Sequence, residues 1–341
     1  MQNFVIIIPT LNEEAYISKT IAELAESARK FTGNDDCPIW VVDGGSTDRT
    51  IDIVRNMNSP NVDIIDNPER TQAHAVNLAA SKAQLQGFQY FIRADAHATY
   101  HLNFIETIFY AMNQQNADSI VVSMTTQGGN VVQNAASVLY NSWLGNGGAY
   151  HRSGTFRGFV EHGHHALFRV SSFISVGGYD TSFLANEDAE FDHRFKEAGY
   201  SIFLENQSPV IYLPRATIHA FWKQMYRNGK YRIRTSVKHN KPLRLRQILP
   251  TILLPVLVLS ILGGVFVHWS LAGAVAFYIA IVFMLSVLSL QKARPFEALV
   301  NLPVVICLAV VSHCGFSAGA CSSLLHFLGK KKLSTNSSRL S

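Results

Sequence analysis

Two long uncharged segments constrain this chain more than any other feature. Residues 248–267 and 271–290 are each twenty residues long, and neither contains a charged side chain. About twenty apolar residues in a helix match the ~30 Å hydrocarbon core of a bilayer. Only the short loop His268-Trp269-Ser270 separates the two segments. The sequence therefore predicts a transmembrane helical hairpin in the C-terminal part of the chain.

A third apolar segment, 299–328, is long for one crossing and contains Pro303. The cluster Lys330–Lys332 follows it, and basic residues near membrane helices favour the cytoplasmic side. A single crossing would leave this cluster outside, so we predict a broken or re-entrant segment. Gly315 and Gly319 have the spacing that allows close helix packing in membranes.

The charge of the chain is unevenly distributed. Residues 215–246 contain ten Lys or Arg and no acid, although the net charge of the whole chain is only +5. The segment lacks aromatic stacking positions and a known nucleic-acid-binding module, so we expect no nucleic-acid partner. Placed before membrane spans, these cations are expected to contact anionic lipid head groups. They also predict that the region preceding the spans is cytoplasmic.

Short apolar runs alternate with helical patterns over residues 1 to about 125. The predicted strands are Phe4–Ile8, Ile39–Val42, Val62–Ile65, Tyr90–Ile92 and Ser119–Met124. Strand–helix alternation is typical of an α/β fold with a parallel sheet and helices on both faces. Such sheets bind ligands at the carboxyl ends of their strands.

Three of the predicted strands end in polar clusters, "PTLNEE", "DGGSTD" and "RADAH". We expect these clusters to converge at one edge of the sheet. Asp43, in the second cluster, is placed to accept a hydrogen bond from a ring N–H of a base, with glycines that allow a ligand to approach. The alternative is local, because Asp43 and Ser46 can simply cap the following helix.

Asp95 and His97 stand two residues apart at a strand end, so both side chains can point the same way. A carboxylate and an imidazole can bind Mn²⁺ or Mg²⁺ beside a diphosphate. The alternatives are that Asp95 pairs with Arg93 or caps the next helix, and that His97 is a surface residue.

The run "NEDAEFDHR" is predicted to enter a helix whose buried face carries Phe191 and Phe195. Glu187 and Asp188 then lie at the N-terminus of that helix, whose dipole favours an ionised carboxylate suited to general-base chemistry. The alternative is that both are ordinary acids of a first helical turn.

Three nearby histidines have no single interpretation. They are expected to shape an acceptor pocket, to add a metal ligand, or to be ordinary loop residues. They are His162, His164 and His165.

Taken in order, "VIIIPTLNEEAYI", "VVDGGSTDRT", "RADAH", "NEDAEFDHR" and "QMYRNGKYR" resemble the family 2 inverting glycosyltransferases of the glycosyltransferase-A fold. The resemblance covers about residues 3–235. With the membrane segments included, the chain looks closest to the succinoglycan-type exopolysaccharide β-glucosyltransferases. The resemblance implies a Rossmann-like α/β catalytic domain, a UDP-sugar donor and a divalent metal.

The resemblance also implies roles for individual residues. Asp43 would contact the base or ribose, and Asp95 the metal and diphosphate. Asp188 would be the catalytic base, with Glu187 helping to hold the acceptor. The remaining nucleotide-sugar-binding residues would be Pro9, Thr10, Leu11 and Glu13 around the base, with Arg227, Lys230 and Arg232 on the leaving diphosphate.

The chain departs from the family pattern at two places. The usual Asp-x-Asp is Asp95-Ala96-His97 here, so direct metal ligation by the third position rests on an imidazole, which is a competent Mn²⁺ ligand. The Gln-x-x-Arg-Trp signature of processive synthases is absent, because Asn228 follows Arg227 where tryptophan is expected. We therefore predict transfer of a single sugar.

These observations predict a catalytic domain, a basic juxtamembrane segment, a transmembrane region and a disordered tail. The corresponding ranges are 1–235, 236–247, 248–328 and 329–341. The predicted function is transfer of a hexose, glucose by the resemblance, to a polyprenyl-diphosphate-linked saccharide at the bacterial inner membrane. The alternatives are a polyprenyl-phosphate sugar transferase and a non-catalytic membrane scaffold that retains the fold.

Overall fold

The computed structural model describes residues 2–146, 150–243, 245–291 and 295–337. The chain forms two compact units. Unit 1 comprises Met1–Thr125 with Gly148–Leu213, and unit 2 comprises Thr126–Gly147 with Pro214–Ser341. The predicted end of the catalytic domain at residue 235 stays a prediction. A division into compact units does not show which residues take part in catalysis.

Within the described residues, nine strands form one mixed sheet in the order β3-β2-β1-β4-β8-β6-β9-β5, with β7 paired to β9. The strands are β1 (Phe4–Thr10), β2 (Ile39–Asp43), β3 (Val62–Asp66), β4 (Tyr90–Arg93), β5 (Ala98–Thr99), β6 (Ser119–Thr126), β7 (Gly158–Phe159), β8 (His164–Arg169) and β9 (Ile202–Tyr212).

The helices, in chain order, are α1 (Ile17–Thr32), α2 (Thr50–Asn56), α3 (Gln72–Leu85), α4 (Phe104–Gln115), α5 (Val131–Tyr140), α6 (Trp143–Asn146), α7 (Tyr150–Ser153), α8 (Val170–Ser175), α9 (Glu187–Glu197), α10 (Ile218–Lys238), α11 (Leu245–Phe266), α12 (Gly273–Ser289) and α13 (Pro295–Ser337). A short 3₁₀ helix, Trp269–Ala272, precedes α12.

The parallel part of the sheet matches the expected α/β pattern. Strands β1 to β4 pair in parallel, and each of the five predicted strands is present. The remainder differs from the prediction, because β8 pairs antiparallel with both β4 and β6, and β9 pairs antiparallel with β5 and β7. The fold is therefore a mixed α/β sheet, which the irregular stretch 126–215 did not reveal in its sequence pattern.

The sheet of unit 1 separates two apolar clusters. Along β1, Phe4, Ile6 and Ile8 face the cluster formed with α1 and α4. Val5 and Ile7 face the other cluster, formed with α3, α8 and α9. A strand buried on both faces needs a continuous apolar run, which is why this segment shows no polar alternation.

The apolar segments of unit 2 are helical. Among the described residues, three helices are long and apolar enough to cross a membrane, over Gln247–Phe266, Trp269–Ser289 and Glu297–Leu328. The third lies within α13, which is continuous through Pro303 rather than broken. This helix extends to Ser337, into the segment predicted to be disordered, whose residues 338–341 lie outside the described residues.

Candidate functional site

The three polar strand ends meet at one edge of the sheet in unit 1. Thr10 at the end of β1 is in register with Asp43 at the end of β2. The amide of Gly44 donates to the Thr10 carbonyl oxygen at 2.8 Å, and the amide of Ala94, directly after β4, donates to the Ile7 carbonyl oxygen at 2.9 Å. The predicted convergence of the three exits is confirmed.

Hydrogen bonds join the loop after β1 to the loop after β2. The amide of Asn12 donates to Ser46 Oγ at 2.9 Å, and Asn12 Oδ1 accepts from the amide of Thr47 at 2.8 Å. One residue further on, the amide of Glu13 donates to Thr50 Oγ1 at 2.8 Å. Asn12 has φ 57°, a left-handed conformation in which asparagine is among the least strained residues. Together these contacts make the two loops one surface.

The residues predicted to line a base pocket differ in exposure. Thr10 is buried, and its hydroxyl donates to the Ile8 carbonyl oxygen at 2.9 Å. Pro9 is half-buried and Leu11 is exposed. Their contact with a nucleotide stays a prediction.

Asp43 holds its own turn together. Its Oδ2 accepts from the amide of Gly45 at 3.0 Å, and its Oδ1 accepts from Ser46 Oγ at 2.5 Å. Helix α2 begins only at Thr50, so these bonds close the turn rather than cap the helix. Arg70, which the sequence analysis did not single out, places its guanidinium within ordinary contact distance of a Cβ at Gly45.

Asp95 is a partly buried carboxylate at the exit of β4, with its side chain 13% exposed. Its Oδ1 lies 3.4 Å from Arg93 Nη2, and its Oδ2 lies 3.6 Å from His164 Nε2. Burial alone would raise the pKa of Asp95, but Arg93, followed by His164 and His97, lowers it to about 2. The carboxylate is therefore ionised at neutral pH, as a ligand of a divalent metal must be.

Arg93 connects Asp95 to the other acidic side chains. It is 6% exposed, and its Nη1 donates to the Tyr179 hydroxyl at 3.2 Å. Burial would lower the pKa of Arg93, but Tyr179, Asp95, Glu187 and Asp188 raise it, so the guanidinium stays charged. The pairing of Asp95 with Arg93 was left open from the sequence, and the structure shows it. Tyr179 gave no signal in the sequence, because a single tyrosine in a loop carries no motif.

His97 is engaged with the loop after β1. Its Nδ1 lies 2.8 Å from Glu13 Oε1, and its ring packs against the edge of Tyr212. A metal ligand from His97 would therefore have to be Nε2. The donor set fits a divalent ion nonetheless, because Asp95 is an ionised oxygen ligand with the imidazole of His164 beside it.

The three histidines have different surroundings. His164 begins β8 and lies against Asp95. The Nδ1 of His162 lies 2.6 Å from Oδ2 of Asp192, a buried residue of α9. His165 lies in β8, in register with Val121. His164 is the histidine that lies against Asp95, and its spacing from Asp95 in sequence gave no indication of this.

Helix α9 presents the proposed catalytic pair in its first turn. Phe191 and Phe195 are fully buried, with stacked rings 5.0 Å apart, as predicted. Glu187 is 8% exposed, and burial, followed by the charge of Asp188, raises the pKa of Glu187 to about 7. Asp188 is half-buried, and its Oδ1 accepts from the amide of Ala189 at 2.7 Å.

The three cations assigned to the leaving group belong to one helix. Arg227, Lys230 and Arg232 are on α10, in unit 2. Their assignment to the diphosphate stays a prediction.

Fold and site together define an enzyme whose sheet edge gathers the ionised carboxylate of Asp95, a buried arginine and a first-turn acid. The chain belongs to glycosyl transferase family 2, whose model matches residues 5–177, and its fold is the glycosyltransferase-A fold. It is similar to the succinoglycan biosynthesis protein ExoA of Rhizobium meliloti (strain 1021), with 37% identity over 94% of this chain and 95% of that protein.

A second relative is 27% identical over 67% of this chain and 72% of its own length. It is the dolichyl N-acetyl-alpha-D-glucosaminyl phosphate 3-beta-D-2,3-diacetamido-2,3-dideoxy-beta-D-glucuronosyltransferase of Methanococcus voltae. Among solved structures, the chain resembles the mannosyltransferase PcManGT of Pyrobaculum calidifontis in complex with GDP-Man and Mn²⁺. That likeness has a TM-score of 0.57, with 16% identity over 95% of this chain and 88% of the other, and it supports the fold alone.

Proposed function

We propose that the protein is a membrane-anchored inverting glycosyltransferase that moves a hexose from a UDP-sugar to a polyprenyl-diphosphate-linked saccharide in exopolysaccharide biosynthesis. Glucose is the proposed hexose. The observation that carries the proposal is the meeting of the three polar strand ends, where the Asp95 carboxylate lies against Arg93 and His164. The 37% identity with a succinoglycan biosynthesis protein supports the pathway class.

At the donor end, Asp43 and the residues of the loop after β1 bind the uridine. Asp95 faces the diphosphate, and its low pKa keeps it ionised for this purpose. Asp95, with His164 and Nε2 of His97, would hold Mn²⁺ or Mg²⁺. When bound, the ion neutralises charge that develops on the departing diphosphate. Arg227, Lys230 and Arg232 are proposed to assist on the same group.

At the acceptor end, Asp188 accepts the proton of the attacking hydroxyl. The acceptor oxygen forms a bond to the anomeric carbon, and the bond from that carbon to the diphosphate breaks in line, so that UDP leaves with the electron pair. A single in-line displacement converts an α-linked donor into a β-linked product. Its half-buried position in the first turn of α9 keeps Asp188 accessible to an acceptor, while Glu187 behind it is buried.

The C-terminal helices anchor the enzyme. Helices α11 and α12 are apolar, of spanning length, and expose most of their side chains to their surroundings. We propose that they cross the bacterial inner membrane with unit 1 in the cytoplasm. A lipid-linked acceptor would then reach the enzyme from the bilayer.

The test compares wild type with Asp188→Asn in membranes supplied with UDP-sugars, Mn²⁺ or Mg²⁺, and a lipid-linked saccharide. Loss of a positioned base costs about 10²- to 10⁴-fold in rate, so transfer should fall by at least 100-fold while UDP binding is retained. Asp63→Asn, an exposed carboxylate on β3, is the matched control. Normal transfer by Asp188→Asn would remove the proposed base.

The acceptor class is tested separately. We expect transfer to a polyprenyl-diphosphate-linked saccharide and none to bare polyprenyl phosphate. The Methanococcus relative, whose name includes a dolichyl-phosphate-linked sugar, supports this choice. Product formed on bare polyprenyl phosphate would favour the alternative, a polyprenyl-phosphate sugar transferase.

A further inference from the structure

Helix α13 is enclosed within unit 2 in a way that α11 and α12 are not. Over residues 304–323, all of which the structure describes, Cys307 is the only exposed residue. Large apolar side chains of α11 and α12 are exposed instead, among them Leu259, Val265, Phe277 and Phe283. Lipid-facing helices expose such side chains, so α13 is in different surroundings from the other two apolar helices.

One of the elements that enclose α13 is α10, and the two backbones touch. A Cβ at Gly319 would overlap the carbonyl oxygen of Tyr226, and a Cβ at Gly229 would overlap the carbonyl oxygen of Phe316. The glycine pair predicted from sequence to pack closely therefore does so, against α10. At Gly319, the contact leaves no room for lipid between α13 and α10.

Helix α10 is too charged to lie in hydrocarbon. It carries exposed Lys223, Arg227 and Lys230 at the level of the glycine contact. A lysine or arginine at the centre of a bilayer costs roughly 2.5–3.5 kcal/mol on insertion scales. The contact between α10 and α13 therefore lies at or outside the head-group layer.

The remaining parts of α13 are too short to cross by themselves. Val305 and Ala309 are buried in one cluster with Phe221 of α10 and Leu139 of α5. From Val305 to Gly319 the helix covers about 21 Å, and the apolar stretches on either side each cover less than about 15 Å. The hydrocarbon core is ~30 Å thick, so neither stretch spans it.

Hydrogen bonds to helix α11 give a second indication of the depth of α13 relative to the bilayer. Ser317 Oγ donates to the carbonyl oxygen of Thr251 at 2.8 Å and accepts from the amide of Leu254 at 3.0 Å. Both partners lie in the first half of α11, the half that follows the basic segment. Thr251 and Leu254 lie four and seven residues after Gln247, where the apolar segment of α11 begins, so Ser317 lies in the entry half of the hairpin.

We propose that α13 does not cross the membrane but lies with α10 against the head groups at the foot of the α11–α12 hairpin. Its partner is the anionic lipid surface, which the exposed cations of α10 match in charge. The chain then crosses twice, and its C-terminus is on the same side as unit 1. This rests on the hairpin of the proposed function, but not on the reaction assigned to the site.

The test labels single cysteines with a membrane-impermeant maleimide in the full-length chain, after its four native cysteines have been replaced by alanine. Cysteines are introduced one at a time as Asp36→Cys in unit 1, Ser270→Cys in the hairpin loop and Ser337→Cys at the end of α13. Intact cells should label Ser270→Cys alone. Inverted vesicles should label Asp36→Cys and Ser337→Cys.

Labelling of Ser337→Cys in intact cells would overturn the proposal, because α13 would then cross. Labelling of Ser270→Cys only in inverted vesicles would remove the hairpin of the proposed function, while Ser337→Cys would still report on α13. If the cysteine-free chain does not fold, fusions of the full chain at residue 341 to alkaline phosphatase and to green fluorescent protein show on which side of the membrane the C-terminus lies. The proposal requires an inactive phosphatase and a fluorescent protein, and the opposite result contradicts it.

Discussion

Arg93 has two separate partners in the site, and both depend on the planar shape of its side chain. Nη2 lies 3.4 Å from Asp95, and Nη1 donates to the Tyr179 hydroxyl at 3.2 Å. Because the guanidinium is buried, it must also satisfy its donors within the protein. The residue thus keeps Asp95 ionised and fixes it relative to α9.

We expect Arg93→Lys to reduce kcat/KM by about tenfold or more, although the charge is kept. A lysine ammonium is a single point charge and cannot reach both partners in the fixed geometry of a guanidinium. The matched control is Arg169→Lys, because Arg169 similarly bridges the Tyr90 hydroxyl and the Ala117 carbonyl oxygen, at β4 and β8. Equal losses in the two variants would show that the effect is one of folding and not of the site.

Glu187 supplies a prediction about pH. Burial and the charge of Asp188 raise the pKa of Glu187 from its ordinary 4.5 to about 7 in the folded protein, so the folded state binds the additional proton between these two values. The contribution of Glu187 to stability is therefore present below about pH 4.5 and is lost as the pH rises towards 7. We expect Glu187→Gln, which is neutral at every pH, to gain stability relative to wild type over this range.

Thermal unfolding midpoints in detergent at pH 5 and pH 8 measure this difference. Glu106→Gln, at an exposed position on α4, is the control and should show no such change. An unfolding difference between wild type and Glu187→Gln that is constant with pH would mean that Glu187 ionises normally.

Among the elements, the sequence predicts best where a segment is buried on both faces. The runs that become β1, β2 and β4 are recognisable because a strand buried on both faces needs a nearly continuous apolar run, whereas β3 at the sheet edge is only partly buried. Strand β8 begins with two histidines and β9 contains Glu205, Asn206 and Gln207, so neither has an apolar pattern. The antiparallel half of the sheet could not be predicted for that reason.

Residues of the candidate site were likewise predictable only where a local sequence pattern marks them. Asp95, Glu187 and Asp188 were predictable because strand ends and helix starts mark them in the sequence. Tyr179 and His164 were not, because tertiary structure alone brings them to Arg93 and Asp95. The continuity of α13 through Pro303 was also missed, because surrounding helices stabilise a segment that would be predicted to break in isolation.

We expect Gly319→Ala to separate α10 from α13 and to lower the thermal midpoint of the protein in detergent. The new Cβ would overlap the Tyr226 carbonyl oxygen, a backbone atom that cannot rotate away. Gly273→Ala is the matched control, since a Cβ at that helical glycine has nothing within 4 Å. Alanine is intrinsically the better helix former by about 1 kcal/mol, so the control should be neutral or stabilising. A stable Gly319→Ala variant would show that the close backbone contact is not required.

At the scale of the whole molecule, the chain separates its charges along the sequence. All but one of the acidic residues precede Asn206, the basic residues concentrate in 215–246, and the uncharged segments follow. An electrostatic association alone would be reversed by salt, because exposed charges are screened beyond about 8 Å at physiological ionic strength. An apolar hairpin is insensitive to salt and is weakened only by placing charge within it.

We therefore expect the wild-type protein to stay in the membrane pellet after washing with 1 M salt and after alkaline carbonate extraction. The double variant Leu259→Arg/Phe277→Arg places one cation in α11 and one in α12, at exposed apolar positions. Together these cost about 5–7 kcal/mol of insertion free energy, which should move the protein to the carbonate supernatant. The matched control is Leu85→Arg, an equally exposed apolar position at the end of α3 in unit 1, which should leave the protein in the pellet. Retention of the double variant in the carbonate pellet would mean that α11 and α12 are not the anchor.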